Sequence, residues 1–320
     1  REPPLRVPRD QRAHRREEAV LVVLPEALIP LYLRATRANA PFLSPESADR
    51  AVRDAELRPQ PYGPPSRLRP GVHVSVEHVG VGRGTDRPVY TVAPARGTPT
   101  GAVVYTHGGG WHHEISAQHW SLIAQTAAEA NVAVSVPIYS LLPFGHAQDA
   151  HDLVLRCALQ LIEQHGGVVL VGDSAGGQIS LSVAQTLRDR GVVAQRTVLI
   201  SPALDLTFSH PDIPLVQPKD PWLAPGGGRE LGRRWAGDLE VRDPVVSPLF
   251  GRFEGLGPML VFSGSRDVLN PDAHVLLERA RAAGVDITLS ERAGALHVFP
   301  LLPTRSGRTA RAEIVAALRS

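Results

Sequence analysis

The chain has 320 residues, of which 43% are hydrophobic and 21% are charged. This composition excludes an intrinsically disordered chain, a collagen-like fibre and a small disulfide-dense protein. At roughly 150 residues per domain, the length predicts either two units or one large α/β domain with an appendage. No apolar run approaches the roughly 20 residues that a membrane-spanning helix needs, so we expect no integral membrane segment.

Charge balance and cysteine content exclude further classes of protein. Lys and Arg number 34 against 32 for Asp and Glu, a net charge of +2, which argues against a nucleic-acid partner. Cys157 is the single cysteine, so there is no internal disulfide, and it cannot alone form a thiolate zinc site. The sequence shows no basic-then-apolar signal peptide, and we expect a cytoplasmic protein.

Residues 1–70 differ in composition from the rest of the chain. Arginines cluster near the start, and apolar residues at helical spacing follow over 17–34. Because Pro25 and Pro30 interrupt this stretch, it predicts two short helices or one kinked helix. The proline-rich run 58–70 indicates a linker. The arginine-rich arm is either solvated or in contact with an anionic surface, and we favour a solvated arm.

From residue 71 onward, β-rich runs dominate and helical patterns join the later ones. Two runs at 72–79 and 88–92 predict an antiparallel hairpin. Near-continuous apolar strands separated by helices predict a parallel sheet that is covered on both faces. The remaining predicted strands are 102–105, 132–137, 168–172, 197–201, 259–263 and 287–290, and the predicted helices are 117–130, 147–165, 176–190 and 271–283.

Residues 206–242 interrupt this alternation of strands and helices. The segment is rich in proline and glycine, and it carries Trp222 and Trp235. We therefore interpret it as an insertion into the α/β unit.

The strongest chemical signal is the sequence Gly-Asp-Ser-Ala-Gly at 172–176, between an apolar strand and a helical pattern. A serine in Gly-x-Ser-x-Gly lies on a tight strand-to-helix turn that exposes its hydroxyl. Gly172 and Gly176 fit that turn because it brings backbones close together. The helix N-terminus also favours the negative charge that develops in acyl transfer. The alternative is an ordinary turn rich in small residues, but we favour Ser174 as a nucleophile.

A second signal is the loop His-Gly-Gly-Gly-Trp at 107–111, which directly follows a predicted strand. Glycines let backbone N–H groups face an oxyanion about 3 Å away. Gly109 and Gly110 are the predicted donors, with Gly108 as the second choice, and the N–H of Ala175 would complete the oxyanion hole. The loop lacks the Gly-Lys-Ser/Thr ending of a phosphate-binding loop and the glycine spacing of a dinucleotide site.

Two later loops carry an acid and a base. Asp267 comes just past the strand predicted at 259–263, and His297 lies in the loop after the last predicted strand. The order of serine, acid and histidine is the one used by α/β-hydrolases. In that arrangement His297 accepts the proton of Ser174, and Asp267 fixes the tautomer of the imidazole.

Taken together, these motifs resemble those of the hormone-sensitive-lipase-like carboxylesterases, over about residues 101–300. The resemblance implies an α/β-hydrolase fold, with a mostly parallel twisted sheet, helices on both faces and a helical cap. It implies Ser174 as the nucleophile, Asp267 as the acid and His297 as the base. It implies neither a cofactor nor a metal.

The resemblance also implies a division of the chain. Residues 1–70 would form an N-terminal helical cap segment and linker, and residues 71–320 the catalytic core with a cap insertion at about 206–242. Asp272 would cap the helix that follows it rather than serve as the acid. Many members of the family dimerise, so a homodimer is an open hypothesis.

The chain departs from the family pattern directly after Trp111. His112, His113 and Glu114 follow, and His119 comes five positions later, where apolar and small residues are usual. A metal site formed by these four side chains is one hypothesis. Neighbouring histidines point apart on a strand or helix, and the spacing is not that of H-E-x-x-H. We therefore favour a polar pocket rim or surface, with no metal.

The sequence thus predicts a serine carboxylesterase that hydrolyses small, fairly apolar esters through an acyl-enzyme. Trp111, Trp222 and Phe299 are candidate apolar walls of the substrate pocket. A lactonase or amidase with the same triad is an alternative, because the chemistry up to the acyl-enzyme is shared. A non-catalytic small-molecule-binding protein on the same fold is another.

Overall fold

The computed structural model describes residues 23–80 and 86–319, and these residues form an eight-stranded sheet. The strand order is β1-β2-β4-β3-β5-β6-β7-β8. Strand β2 runs antiparallel to both of its neighbours, and every pair from β4 to β8 is parallel. The strands are β1 Val72–Gly80, β2 Asp86–Pro94, β3 Gly101–Thr106, β4 Val132–Pro137, β5 Val169–Asp173, β6 Arg196–Ile200, β7 Met259–Gly264 and β8 Ile287–Arg292.

Helices cover both faces of this sheet. No helix within residues 23–80 and 86–319 is long and apolar enough to cross a membrane. The helices are α1 Leu28–Ala35, α2 Pro45–Leu57, α3 Ala117–Ala130, α4 Ala147–His165, α5 Ala175–Asp189, α6 Ile213–Val216, α7 Pro225–Ala236, α8 Asn270–Ala282 and α9 Arg305–Leu318.

The alternation of side chains along β3 explains why both faces are covered. Val103 and Tyr105 pack in an apolar cluster with residues of α3 and α9. Val104 points to the opposite face and packs with residues of α4 and α5. Burial of each such side chain contributes about 1.5–3 kcal/mol, so an apolar strand of this kind is stable only between two helical layers.

The predicted sheet is confirmed. The hairpin of β1 and β2 pairs Val72 with Pro94 and Gly80 with Asp86, and the other predicted strands and four predicted helices agree with the structure to within two residues. Helices α2, α6, α7 and α9 have no counterpart among the helices predicted with individual bounds. The central parallel strands end at one edge of the sheet, which is where the motif loops meet.

The N-terminal prediction holds only in part. The arginine-rich arm and residues 17–22 lie outside the described residues. In the rest of the stretch a single helix, α1, begins at Leu28, after Pro25. Pro30 lies in the first turn of α1, where its missing N–H is not needed, so the predicted kink does not occur in the described part. Further along, α2 packs against α7 of the segment 206–242.

Candidate active site

Ser174 lies on a strained turn between β5 and α5. Its backbone angles are φ 52° and ψ −117°, which are rare for a residue other than glycine. A Cβ atom on Gly172 would overlap the carbonyl oxygen of Gly176, and one on Gly176 would overlap the carbonyl oxygen of Thr106. Both glycines are therefore required for the close approach of backbones that holds the serine in this conformation.

The structure brings Ser174, His297 and Asp267 together. The Ser174 Oγ lies 2.9 Å from His297 Nε2, and His297 Nδ1 lies 2.8 Å from Asp267 Oδ2. The second oxygen of Asp267 accepts the backbone N–H of Leu269 at 2.9 Å. The acid is fully buried, and the imidazole is only 4% exposed, so the chain of hydrogen bonds is shielded from solvent.

The electrostatic surroundings favour a proton on the imidazole of His297. Burial by itself lowers the pKa of His297, but the charge and hydrogen bond of Asp267 outweigh that effect, with additions from Asp220 and Asp173. The pKa of His297 is therefore raised above its ordinary value of 6.5. An imidazole in this environment can accept the hydroxyl proton of Ser174 and stabilise the resulting positive charge.

The glycine loop after β3 faces Ser174. Gly109 and Gly110 both line the cavity above the serine, with φ angles of 123° and 57°. Outside helices and strands, no hydrogen bond among the described residues uses either N–H. Ala175 is the first residue of α5, where N–H groups have no partner within the helix. Gly108 does not line the cavity, and a Cβ there would overlap the carboxylate of Asp173.

Asp173, beside the serine, anchors this part of the site and was missed by the sequence analysis. Its two oxygens are bonded to the hydroxyl of Tyr105 at 2.8 Å and to His119 Nε2 at 3.1 Å. His119 Nδ1 accepts the backbone N–H of Ser116 at 2.9 Å, so Nε2 donates to Asp173. Burial raises the pKa of Asp173, but His119 and Tyr105 outweigh it and lower that pKa. The sequence signal that could have identified Asp173 is its position inside the Gly-x-Ser-x-Gly motif.

A cavity of about 810 Å³ opens above Ser174. The ring of Trp222 stands edge to face against the imidazole of His297, with 5.6 Å between ring centroids. Trp111 also lines the cavity, stacks 6.2 Å from Trp235 and donates its indole N–H to Gln178. The other apolar lining residues include Leu28, Ile29, Tyr32, Leu33, Pro41, Phe42, Phe208, Leu223, Val298, Leu301 and Leu302.

Of the three predicted pocket walls, Phe299 is the one that does not line the cavity. Val298, directly after His297, has a left-handed backbone with φ 46°, and it turns the chain so that Val298 rather than Phe299 lines the cavity. Phe299 is 4% exposed and packs against Phe262, with 6.4 Å between ring centroids. Its place in the core corrects the prediction.

The four side chains weighed as a metal site do not converge. His112 Nδ1 lies 2.8 Å from the carbonyl oxygen of Gly110. His113 Nδ1 faces the amide of Gln60 at 3.0 Å, and His119 is engaged with the carboxylate beside Ser174. In the part of the chain that the structure describes, no group of three or more His, Cys, Asp or Glu side chains could hold a metal ion.

Glu114 is the acidic member of this segment, and one of its two carboxylate oxygens lacks a hydrogen-bond partner. It lines the cavity, and its Oε2 is buried without a hydrogen bond. Burial raises the pKa of Glu114 to about 7, although Arg87 and the N–H of Ile115 act in the opposite direction. Among the described residues that line the cavity, none is Lys or Arg.

Asp272 was predicted to cap the helix after Asp267, and that prediction is wrong. Helix α8 begins at Asn270, and the residue before it, Leu269, provides no side-chain cap. Asp272 therefore lies inside the first turn, past the capping position. Its Oδ2 is buried without a partner. Burial, followed by the charges of Asp205 and Asp267, raises the pKa of Asp272 to about 7.

Comparison with known proteins identifies the family. A family model described by the α/β-hydrolase fold matches residues 103–301. The chain belongs to the α/β-hydrolase fold family. It is 31% identical over 226 residues to an acetyl-hydrolase of Streptomyces hygroscopicus, which covers 68% of this chain and 75% of that protein.

Two further matches agree. The carboxylic ester hydrolase LipN of Mycobacterium tuberculosis is 27% identical over 278 residues, or 78% of this chain and 72% of that one. A solved esterase of the bacterial hormone-sensitive lipase family superposes with a TM-score of 0.75 at 25% identity, covering 92% of this chain and 98% of that one. The family and fold that the motifs predicted are confirmed.

Proposed function

We propose that this α/β-hydrolase is a serine carboxylesterase in which Ser174 is the nucleophile. The observation that carries the proposal is the hydrogen-bonded chain from Asp267 through His297 to the Ser174 hydroxyl, at the base of a cavity. Its named relatives share one reaction class, carboxylic ester hydrolysis, and the predicted enzyme class is confirmed at that level.

The reaction would proceed in two halves. Ser174 Oγ attacks the ester carbonyl while His297 Nε2 takes the hydroxyl proton, and the N–H groups of Gly109, Gly110 and Ala175 stabilise the oxyanion. When the tetrahedral intermediate collapses, His297 gives that proton to the departing alcohol and an acyl-enzyme remains. His297 then deprotonates a water molecule, which attacks the acyl carbonyl and releases the acid and the free serine.

The cavity favours small, fairly apolar esters as substrates. Its volume of about 810 Å³ falls within the roughly 300–1,000 Å³ of ligand pockets. Trp222 packs against His297 and Trp111 forms another part of the wall, and helix α1 supplies further apolar side chains. A hydrophobic lining of this kind binds an acyl chain by excluding water from it.

We further propose that the division of the chain follows the same plan. The part of 1–70 that contains α1, together with the segment 206–242 that contains Trp222, would act as a cap over the catalytic core of 71–320. Both parts contribute residues to the cavity wall. A homodimer is also proposed, and light scattering on the purified protein tests it.

The decisive experiment uses p-nitrophenyl esters of increasing acyl length, with and without a serine-directed phosphonate inhibitor. We expect turnover that the inhibitor abolishes and that Ser174→Ala lowers by about 10⁴–10⁶-fold. Ser182→Ala is the matched control, since this buried serine of α5 does not line the cavity. A near-normal rate in folded Ser174→Ala would reject the assignment.

The alternative activities are separated by matched substrates. An ester, a lactone and an anilide of matched acyl length differ in the leaving group, which in the lactone stays attached to the acyl chain, so their relative kcat/KM values identify the preferred class. An absence of turnover on all three, together with tight binding of an apolar small molecule, would support the non-catalytic binding protein instead.

A further inference from the structure

A short segment of the insertion 206–242 is fastened to the loop that carries the catalytic acid. We call residues 219–223 the strap. Asp220, in the strap, accepts the backbone N–H of Val268 at 2.9 Å through its Oδ2. Arg266 Nε adds a second link by donating to the carbonyl oxygen of Lys219 at 3.1 Å. The two bonds fall on either side of Asp267 in the sequence.

The same carboxylate also shapes the strap itself. Asp220 Oδ1 accepts the backbone N–H groups of Trp222 at 2.8 Å and of Leu223 at 3.0 Å. Three N–H groups from two distant parts of the chain thus meet on one side chain. Because charge-assisted hydrogen bonds are about twice as strong as neutral ones, this carboxylate ties the strap and the acid loop into one unit.

The link to the acid loop bears directly on the triad. The N–H of Val268 is bonded to Asp220, and the N–H of the next residue, Leu269, is bonded to Asp267. Consecutive amides are therefore held by two carboxylates, one from the strap and one from the loop. This arrangement fixes the backbone at Asp267 and thereby the oxygen that meets His297.

The strap also reaches the base from the other side. Trp222 follows Asp220 by two positions, and its ring stands edge to face against the imidazole of His297, at an interplanar angle of 89°. The Asp220 carboxylate thus controls both the acid loop and the aromatic side chain that packs on the imidazole. No pattern in the sequence distinguishes Asp220 from the other acidic residues of the insertion.

The charge of Asp220 acts on the triad as well. Burial and the neighbouring charge of Asp267 raise the pKa of Asp220 to about 6, while its three N–H partners oppose that rise. Above that pH the strap presents a negative charge, and this charge contributes to the raised pKa of His297. The other charged groups that face His297 are Asp267, from the loop after β7, and Asp173, from the end of β5.

We propose that Asp220 is a positioning residue for the triad, which holds the acid loop and the base in register through the strap. The two hydrogen bonds from the strap to Arg266 and Val268 hold the backbone on both sides of Asp267. This inference rests on the proposed function, because it assigns Asp220 a role through Asp267 and His297.

The test compares four variants by their pH profiles of kcat and kcat/KM on p-nitrophenyl butyrate. Asp220→Asn keeps the size of the side chain and removes its charge, whereas Asp220→Glu keeps the charge and changes the reach. Asp212→Asn is the matched control, because Asp212 is an exposed carboxylate of the same insertion. Ser174→Ala tests the proposed function independently, and thermal unfolding is measured for all four variants.

We expect Asp220→Asn to lower kcat by about 10- to 100-fold. Because removal of a negative charge lowers the pKa of His297, the acidic limb of kcat/KM should move to lower pH. Asp220→Glu should lower kcat and leave that limb near its normal position, and Asp212→Asn should change neither. If Asp220→Asn does not fold, Asp220→Glu carries the test, since a normal kcat there overturns the proposal.

The outcomes separate the inference from the proposed function. A fall in kcat of Asp220→Asn with an unmoved acidic limb would reduce Asp220 to a purely structural role and overturn the proposal, as would normal kinetics throughout. An equal shift of the acidic limb in Asp212→Asn would show that any charge of the insertion has the same effect, and it would also overturn the proposal. An active Ser174→Ala would instead reject the proposed function, and this inference with it.

Discussion

The Nε2 atom of His297 lies 2.9 Å from the Oγ atom of Ser174, although 123 residues separate the two in the sequence. The parallel sheet explains this meeting, because the loops that carry both residues leave the same edge. The contact requires a serine with positive φ and a left-handed residue directly after the histidine. The triad geometry is thus a property of the sheet and of two strained turns.

Asp267, in the loop after β7, and Asp272, in α8, should differ sharply in how their substitution changes kcat. Asp267→Asn removes the carboxylate that is bonded to His297 Nδ1, and we expect kcat to fall by about 10⁴-fold. Asp272→Asn should change kcat by less than about threefold, since Asp272 makes no hydrogen bond to the triad. Steady-state kinetics on p-nitrophenyl butyrate checks both. The reverse order of effects would move the acid to Asp272.

Asp272 should instead affect stability, and in a pH-dependent way. Its pKa is raised from 3.8 to about 7 in the folded protein, so folding favours the protonated form, and that stabilisation is lost progressively as pH rises from 3.8 to about 7. Asp272→Asn cannot ionise. We expect it to raise the free energy of unfolding by roughly 2 kcal/mol at pH 8, and much less at pH 5.

Urea unfolding of both proteins at the two pH values measures this difference. Asp212→Asn is the matched control, since an exposed carboxylate should give the same small effect at both pH values. If Asp272→Asn destabilised the protein more at pH 8 than at pH 5, the buried carboxylate would be a favourable ionised group, contrary to the prediction.

Glu114 should select substrates by their charge. The described cavity lining has no Lys or Arg, and Glu114 ionises at about pH 7. The comparison uses a cationic ester, butyrylcholine, and its neutral isostere, 3,3-dimethylbutyl butyrate. At pH 8 we expect kcat/KM to be roughly fivefold higher for the cationic ester, which corresponds to about 1 kcal/mol. The preference should decline at pH 6, where the carboxyl is mostly protonated. The positive charge of Arg87 acts on Glu114 and weakens this preference.

Glu114→Gln provides the test of that preference. The ratio of the two kcat/KM values should fall towards one, whereas general damage to the site would lower both values together and leave the ratio unchanged. If Glu114→Gln gave the same ratio of kcat/KM values as the unmodified protein, Glu114 would not be the source of the charge selectivity.

The oxyanion loop should not tolerate a side chain at Gly109. A Cβ there would overlap the carbonyl oxygen of His113, and φ is 123°, so Gly109→Ala must displace the N–H that we propose as an oxyanion donor. We expect kcat to fall by about 10²–10³-fold. Gly97→Ala is the matched control, because Gly97 also has a positive φ, of 80°, but no atom within 4 Å of its Cβ position. A normal rate in Gly109→Ala would exclude this loop as the oxyanion hole.

Local sequence determined most of the fold and the centre of the site. Strands such as β4 are continuous apolar runs, and the predicted bounds of β4 and α3 agree with the structure. The turn at Ser174 follows from glycines two residues before and after it. These features depend on hydrophobic periodicity and on backbone sterics over a few residues, so they can be predicted from a single sequence.

Only the tertiary structure decided the contacts between distant segments. Phe299 was expected at the substrate and lies in the core, because a left-handed turn at Val298 reverses the direction of the next side chain. The bond from Asp220 to Val268 spans 48 residues, and the bond from His119 to Asp173 spans 54. These hydrogen bonds depend on how distant segments pack in the whole molecule, and short-range sequence patterns contain no information about that packing.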